Sequence, residues 1–171
     1  MASKEYFEEK SKMYYESYVN NKSTRHVRGI IINDMGQILL LHFKKRNGYS
    51  IPGGTAEENE SIKDTVLREV LEETGAEIIP IKIVGKYYHT SKNFNYEGIT
   101  FDSSRVEYFY FCKFKGFKEK NLGIKGEFDD GDVQIEFLDY EDVMHARLFK
   151  RDKSMIERAM NEYLLYKIDV K

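Results

Sequence analysis

Apolar residues alternate with turn residues in the first third of the chain. Two apolar runs, 29–32 and 38–41, flank a turn-forming sequence at 33–36. This arrangement predicts a β-hairpin within 27–43. The sequence Ile-Pro-Gly-Gly at 51–54 then ends extended structure, because proline and paired glycines favour unusual backbone paths. A loop is predicted there.

Beyond this loop the apolar residues recur at helical spacing. Val66 and Val70 lie one turn apart, and Ser61 with Asp64 resembles a capping box at the start of a helix. Gly75 suits the position just past the last turn. These signals predict a helix between Ser61 and Gly75.

The remaining segments predict further strands and two more helices. Apolar and aromatic runs at 78–88, 106–114 and 133–138 are typical of strands, and 153–166 carries apolar residues on one helical face. Residues 3 to about 20 place aromatic residues at helical spacing among charges. They predict an amphipathic helix that docks on the domain or on a second subunit.

Composition indicates a single domain without a general attraction for polyanions. The chain has 171 residues, 41% of them hydrophobic, and a formal net charge of −2. This balance makes a nucleic-acid or membrane partner unexpected. With one cysteine, no stretch of 18 apolar residues and a charged N-terminal segment, neither a signal peptide nor a membrane span is expected, and a cytoplasmic location is the default. Cys112 lies in an aromatic run, and a buried thiol is expected there.

The predicted central helix carries a cluster of acids. Glu69, Glu72 and Glu73 fall within about one quadrant of a helix with 3.6 residues per turn. Like charges this close repel one another, and Arg68 offsets only part of the charge. Because Mg²⁺ and Mn²⁺ prefer oxygen ligands, a hard divalent cation would balance the remainder.

The spacing of these residues is that of a known motif. The stretch resembles the Nudix box, G-x5-E-x7-R-E-U-x-E-E-x-G-U, in which U is bulky and apolar, and every fixed position matches: Gly54, Glu60, Arg68, Glu69, Glu72, Glu73 and Gly75. Ala76 is small for the last U, and Tyr49 stands where many relatives carry tryptophan. The chain is therefore identified as a member of the Nudix family.

The resemblance implies an α/β fold, namely an α/β/α sandwich with a mixed sheet and a catalytic loop-helix-loop. Residues 26–171 would form the Nudix hydrolase domain, and residues 1–25 a helical extension. The implied activity is hydrolysis of a phosphoanhydride bond in a nucleoside diphosphate derivative, with Mg²⁺ or Mn²⁺ as cofactor and metal-activated water as nucleophile.

The resemblance also implies roles for individual residues. The expected metal ligands are Glu69, Glu72, Glu73 and the Gly54 carbonyl. Glu69 is also the candidate base, with Arg68 and Glu60 as supports that fix the carboxylates and tie the loop to the helix. A further ligand is expected from the acidic loop 126–132, where Glu127 is favoured, although a solvated turn is an equally good interpretation.

Aromatic residues just after the box offer surfaces on which a nucleobase could stack. Tyr88 and Phe94 are the candidates for substrate binding, and packing within strands is the commoner role of such rings. The lysine-rich run from Lys113 to Lys125 is interpreted as a solvated hairpin.

Three functions remain open at this point. They are a Nudix hydrolase, a ligand-binding regulator that kept the fold without turnover, and an isoprenoid diphosphate isomerase. The intact acids favour the hydrolase, and Cys112 has no visible partner for isomerase chemistry. The N-terminal helix leaves a homodimer open.

Overall fold

The fold is taken from a computed structural model that describes residues 4–20, 22–118 and 132–169. Seven strands of these ranges form one mixed sheet. The elements, in chain order, are α1 Lys4–Val19, β1 Thr24–Ile32, β2 Ile38–Phe43, β3 Gly48–Ser50, β4 Gly53–Thr55, α2 Ile62–Thr74, β5 Ala76–Tyr96, β6 Ile99–Phe117, β7 Val133–Leu138, α3 Tyr140–His145 and α4 Lys150–Asp169.

The sheet divides at its centre. Its order is β3-β2-β1-β6-β5, with β1 parallel to β6 along its whole length, while β7 pairs with β2. Strand β1 pairs with β2 only at Ile31 and Ile32, and its residues His26 to Arg28 pair with the short strand β4 instead. Strands β1 and β2 therefore diverge, and the space between them opens toward the start of β1.

Each face of the sheet is covered by a helix. Ile31 and Val27 of β1 pack beneath α2 with Val66 and Val70, whereas Ile30 on the opposite face belongs to the core formed with α3 and α4. This alternation follows from the two-residue period of a strand. The predicted α/β/α sandwich with a mixed sheet is confirmed.

Helix α1 packs on the far end of the β5–β6 hairpin of its own chain. Tyr14, which is buried, lies 5.0 Å from Phe94 between ring centroids, and Tyr18 stacks on Phe101 at 5.1 Å. Tyr14 and Tyr18, two of the aromatic residues that predicted an amphipathic helix, thus contact the domain. None of the helices in the described ranges has the length and apolar character needed to span a membrane.

Three features differ from the sequence-based expectations. Strands β5 and β6 extend far beyond 78–88 and 106–114, because Glu97 and Gly98 both adopt positive φ angles and close the hairpin in two residues. Residues 53–55 form strand β4 rather than only a loop, since they find backbone partners on β1. Helix α3 had no predicted counterpart.

Helix α2 approaches β1 at a glycine. A Cβ atom on Gly29 would lie 2.8 Å from Cγ2 of Val70 and 3.1 Å from Cγ2 of Val66. A larger residue would therefore push the helix away from the sheet. The position of α2, and of everything it carries, depends on this close contact.

We expect Gly29→Ala to lower the free energy of unfolding by about 1–3 kcal/mol, because the added methyl group overpacks this contact. Val70→Ala removes the nearer of the two methyl groups that the new atom meets, so the Gly29→Ala change should cost less in the Val70→Ala background. Urea unfolding of the two single variants and the double variant measures this coupling. Fully additive costs would contradict the proposed contact.

Candidate active site

A cleft opens where β1 and β2 diverge. Its volume is about 670 Å³, which lies in the range of small-molecule binding sites. Its walls are formed by residues of α1, α2 and strands β1 to β4. The residues along its walls are Glu9, Lys10, Lys12, Met13, Glu16, His26, Arg28, Leu41, Phe43, Arg46, Ser50, Gly53, Gly54, Thr55, Glu69, Glu73 and Phe149.

Local capping fixes both ends of α2. The Ser61 hydroxyl oxygen accepts from the Asp64 amide at 3.0 Å, which confirms the predicted capping interaction. Gly75 adopts a left-handed conformation and its amide donates to the Leu71 carbonyl at 2.8 Å. The acids lie between these caps, so their positions along the cleft are set by the helix.

Arg68 joins the helix to the preceding loop. Its Nε and Nη2 donate to the two carboxylate oxygens of Glu60, both at 2.9 Å, and Nη2 also donates to the Thr55 carbonyl at 3.1 Å. Nη1 donates to Glu69 at 2.9 Å and to Glu72 at 3.4 Å. A planar guanidinium can serve all these acceptors at once.

The bonds from Arg68 keep the Glu60 carboxylate ionised. Its bonds from Arg68, together with bonds from the Glu57 amide at 2.9 Å and the Thr65 hydroxyl at 3.0 Å, lower its pKa to about 2. Only 14% of its side chain is exposed. The bonds between Arg68 and Glu60 thus connect the loop before α2 to the helix.

Glu69 and Glu73 bring their carboxylates against the glycine loop. The Gly53 amide donates to Glu73 Oε2 at 2.7 Å. Any Cβ atom on Gly54 would collide with the Glu69 carboxylate, so only glycine leaves room for it. Burial raises the pKa of Glu69, and Arg68 opposes this effect only in part. Both carboxylates line the cleft.

The predicted acids do not all converge. Glu72 is 54% exposed and points its carboxylate toward Arg68 rather than into the cleft. In the described ranges, no three His, Cys, Asp or Glu side chains form a group able to hold a metal ion. Glu69 and Glu73 nevertheless suit Mg²⁺, which commonly binds one or two carboxylates and completes its shell with water and substrate phosphates.

The candidate substrate-binding aromatic residues lie elsewhere. Tyr88 is 74% exposed on β5, and Phe94 packs against Tyr14 and Phe101. Neither residue lines the cleft, so the geometry gives no support to their binding role. Glu127, the candidate further ligand, lies outside the described residues.

Two polar residues of β1 at the cleft were missed from sequence. His26 and Arg28 share a face of this strand, which is apolar only from Gly29 onward. Arg28 donates to the fully buried Glu107 at 2.9 Å and to the Ile51 carbonyl at 3.1 Å. Two polar residues at alternate positions of a buried central strand are the signal that could have identified them.

Glu107 is the centre of a buried charge cluster behind the cleft. Besides Arg28, it contacts Arg151 at 3.2 Å, His89 at 3.1 Å and Arg105 at 3.9 Å. Burial alone would raise the pKa of this carboxyl, but the neighbouring arginines outweigh burial and lower it. The cluster holds Arg28 at the cleft as a permanent cation.

Cys112 has the environment expected from its aromatic surroundings. It is fully buried in the core beneath α2, and burial raises its thiol pKa. It does not line the cleft. This placement argues against an isomerase that would use Cys112 on a substrate in the cleft.

Comparison with known proteins defines the class. The family model described as NUDIX domain matches residues 22–159. The chain belongs to this family, as the box between Gly54 and Ala76 predicted. Helix α1 lies outside the matched residues.

Individual relatives agree with this assignment. A protein of Bacillus subtilis (strain 168) named "Putative 8-oxo-dGTP diphosphatase YtkD" is 34% identical over 84 residues, which are 49% of this chain and 52% of that protein. The chain thus spans about half the length of this curated relative.

Solved structures share the fold. A NUDIX hydrolase from Nitrosomonas europaea aligns with a TM-score of 0.57 at 21% identity, over 80% of this chain and 88% of that one. An ADP-ribose pyrophosphatase from Streptococcus suis 89-1591 aligns with a TM-score of 0.56 at 20% identity, over 83% and 92%. At these identities the likeness concerns the fold alone.

We expect Glu60→Gln to lower the free energy of unfolding by about 2 kcal/mol at neutral pH, because it removes the charge that pairs with Arg68. The folded-state pKa of Glu60 is about 2, below its ordinary value of 4.5. Its stabilisation is therefore fully present above pH 4.5 and is lost as the pH falls toward 2.

Urea unfolding of the wild type and Glu60→Gln, from neutral pH down to about pH 3, measures this difference. Glu58→Gln is the matched control, since Glu58 is exposed in the same loop. A difference between wild type and Glu60→Gln that stays constant over the acid range would contradict the assigned pairing.

Proposed function

We propose that the protein hydrolyses a phosphoanhydride bond of a nucleoside diphosphate derivative with the help of a divalent cation. The observation that carries this proposal is the placement of Glu69 and Glu73. Both carboxylates line a cleft of about 670 Å³ and both contact the Gly53–Gly54 loop. Membership of the NUDIX family supports acid-anhydride chemistry at these residues.

Glu69, Glu73 and the Gly54 carbonyl would hold Mg²⁺ or Mn²⁺, with Glu72 as an outer ligand. When bound, such an ion neutralises charge on the diphosphate oxygens and lowers the pKa of a water molecule. Of the four acids that line the cleft in the described ranges, Glu69 and Glu73 are the two on α2. They do not form a complete cage, which leaves coordination positions for the substrate phosphates.

Glu69 is also the proposed proton acceptor. Its carboxylate is 16% exposed, and burial raises its pKa. A raised pKa makes a carboxylate a better base near neutral pH. Arg68 holds one of its oxygens at 2.9 Å, so Arg68 fixes the orientation of the base while Glu60 fixes Arg68.

The nucleoside part would lie toward the opposite wall. Phe149 is 71% exposed and lines the cleft, so it replaces Tyr88 and Phe94 as the ring on which a base would stack. The names of the relatives point to substrates of this class, an oxidised deoxynucleoside triphosphate in one case and ADP-ribose in another.

Assay of the purified protein with Mg²⁺ tests the proposal directly. The substrates are nucleoside triphosphates including 8-oxo-dGTP, ADP-ribose, dinucleoside polyphosphates and NADH. We expect release of phosphate, pyrophosphate or a nucleoside monophosphate from at least one of them. Binding without turnover across the whole panel would instead favour the regulator. The homodimer and the cytoplasmic location stay predictions.

We expect Glu73→Gln to reduce kcat by at least about a hundredfold, because the variant loses a charged ligand beside the scissile bond. Its free energy of unfolding should change by less than about 1 kcal/mol, since the glutamine can still accept from the Gly53 amide. Glu58→Gln is the control and should keep wild-type kinetics. Wild-type kcat in Glu73→Gln would overturn the metal assignment.

A further inference from the structure

Helix α1 covers one side of the cleft although it lies outside the matched family domain. Lys10, Lys12 and Met13 of α1 line the same cavity as Glu69 and Glu73, whereas the family model begins at residue 22. A segment outside the matched family domain therefore forms part of the cleft wall. Such a segment can distinguish one substrate from another without taking part in the reaction.

Aromatic contacts hold α1 at this position. Tyr14 and Tyr15 pack on Phe94 and Tyr96 with ring centroids 5.0 and 5.2 Å apart, and Tyr15 also meets the edge of Phe101 at 5.7 Å. Phe94, Tyr96 and Phe101 lie near the turn of the long β5–β6 hairpin. The long hairpin thus serves as the support on which α1 docks beside the cleft.

His26 lines the cleft and has a buried nitrogen without a hydrogen-bond partner among the described residues. The imidazole is only 5% exposed and lines the cleft. Its Nε2 is 2.8 Å from the Thr55 hydroxyl, whereas its buried Nδ1 has no hydrogen-bond partner in the described part of the chain. Buried polar nitrogens are nearly always paired, so this atom is suited to a ligand.

The direction of the bond between Thr55 and His26 determines which imidazole nitrogen carries the proton. Across residues 4–20, 22–118 and 132–169, His26 Nε2 is the hydrogen-bond partner of the Thr55 hydroxyl. When the hydroxyl donates to Nε2, the imidazole proton lies on Nδ1, and this is the tautomer that the proposed subsite requires. The ligand atom that pairs with the Nδ1–H group must then be a hydrogen-bond acceptor.

Cations predominate among the charges that act on His26, and Glu9 and Glu16 of α1 also line the cleft. Burial, followed by the cations Arg105 and Arg28, lowers the pKa of His26 to about 3, whereas Glu107 raises it and Lys10 lowers it by a smaller amount. The ring is therefore neutral at neutral pH. A neutral N–H donor among cations favours an anionic acceptor over a neutral or positive one.

We propose that Lys10, His26 and Arg28 form a second subsite of the cleft, which binds a phosphate group of the substrate other than the phosphate attacked beside α2. This inference rests on the proposed function only in taking the substrate to be a nucleotide-type molecule. Lys10 and Arg28 supply charge, and His26 Nδ1 donates a directional hydrogen bond. Helix α1 thereby selects substrates that carry an additional phosphate.

Binding of inorganic phosphate to the metal-free protein tests the subsite without any turnover. We expect phosphate to shift the ¹⁵N resonance of His26 Nδ1, while the resonances of His42 and His145, which lie outside the cleft, stay in place. Lys10→Glu should weaken phosphate binding at least about tenfold. Lys10→Arg should retain it, and Lys4→Glu, on the exposed side of the same helix, should leave it unchanged.

His26→Gln separates binding from packing. The glutamine amide can reach Thr55 as Nε2 does but has no group at the position of Nδ1, so phosphate binding should be lost with little change in thermal unfolding. His26→Asn places an amide near Nδ1 and should retain part of the binding. Equal phosphate affinity in wild type, Lys10→Glu and His26→Gln would overturn the subsite.

Kinetics on a substrate found by the panel provide the second measurement. Lys10→Glu should raise KM about tenfold for substrates with an additional phosphate and leave kcat within about twofold. An unchanged KM with an intact kcat refutes the subsite and leaves the proposed hydrolase standing. If the wild-type protein hydrolyses none of the substrates, the proposed hydrolase is refuted. The phosphate titration still tests the subsite in that case.

Discussion

The guanidinium of Arg68 bonds to the loop before α2 and to the acids of α2 at the same time. It donates to Glu60, to the Thr55 carbonyl and to Glu69. Glu69 in turn fits against Gly54. If this one cation were removed, the loop would lose its tie to the helix, and three carboxylates would face one another with less compensation. The position of every proposed ligand therefore depends on Arg68.

The wall opposite α2 is held by a second set of charges. Glu107 is fully buried yet surrounded by Arg28, Arg105 and Arg151. Buried charges of this kind contribute little net stability, because their attraction is offset by the loss of hydration. Their consequence here is orientation, since Arg28 is kept at the cleft. The cleft is therefore lined both by acids of α2 and by the cation Arg28.

The parts of the site that depend on local sequence could be predicted. Helix caps, the period of α2 and the spacing of Glu69 and Glu73 depend on neighbours a few residues away, so the chain alone indicated them. The resemblance to the Nudix box also predicted the fold class. The approach of Gly54 to Glu69 was not predicted as a packing constraint, but the glycine was among the expected residues.

The rest of the cleft could not be predicted because it depends on long-range pairing. His26 and Arg28 reach the cleft only because β1 leaves β2 and pairs with β4. Phe94 looked like a stacking surface, yet α1 covers it from more than 70 residues away in sequence. The extent of the β5–β6 hairpin depends on a turn at Glu97, a residue that rarely adopts positive φ.

The central claim is that the edge of α2 and the glycine loop bind the divalent cation. Anomalous scattering from crystals soaked in Mn²⁺ tests it most directly, because the signal locates the ion without reference to activity. The account predicts a peak in contact with the carboxylates of Glu69 and Glu73. A peak confined to another part of the surface, with none beside these two residues, would contradict it.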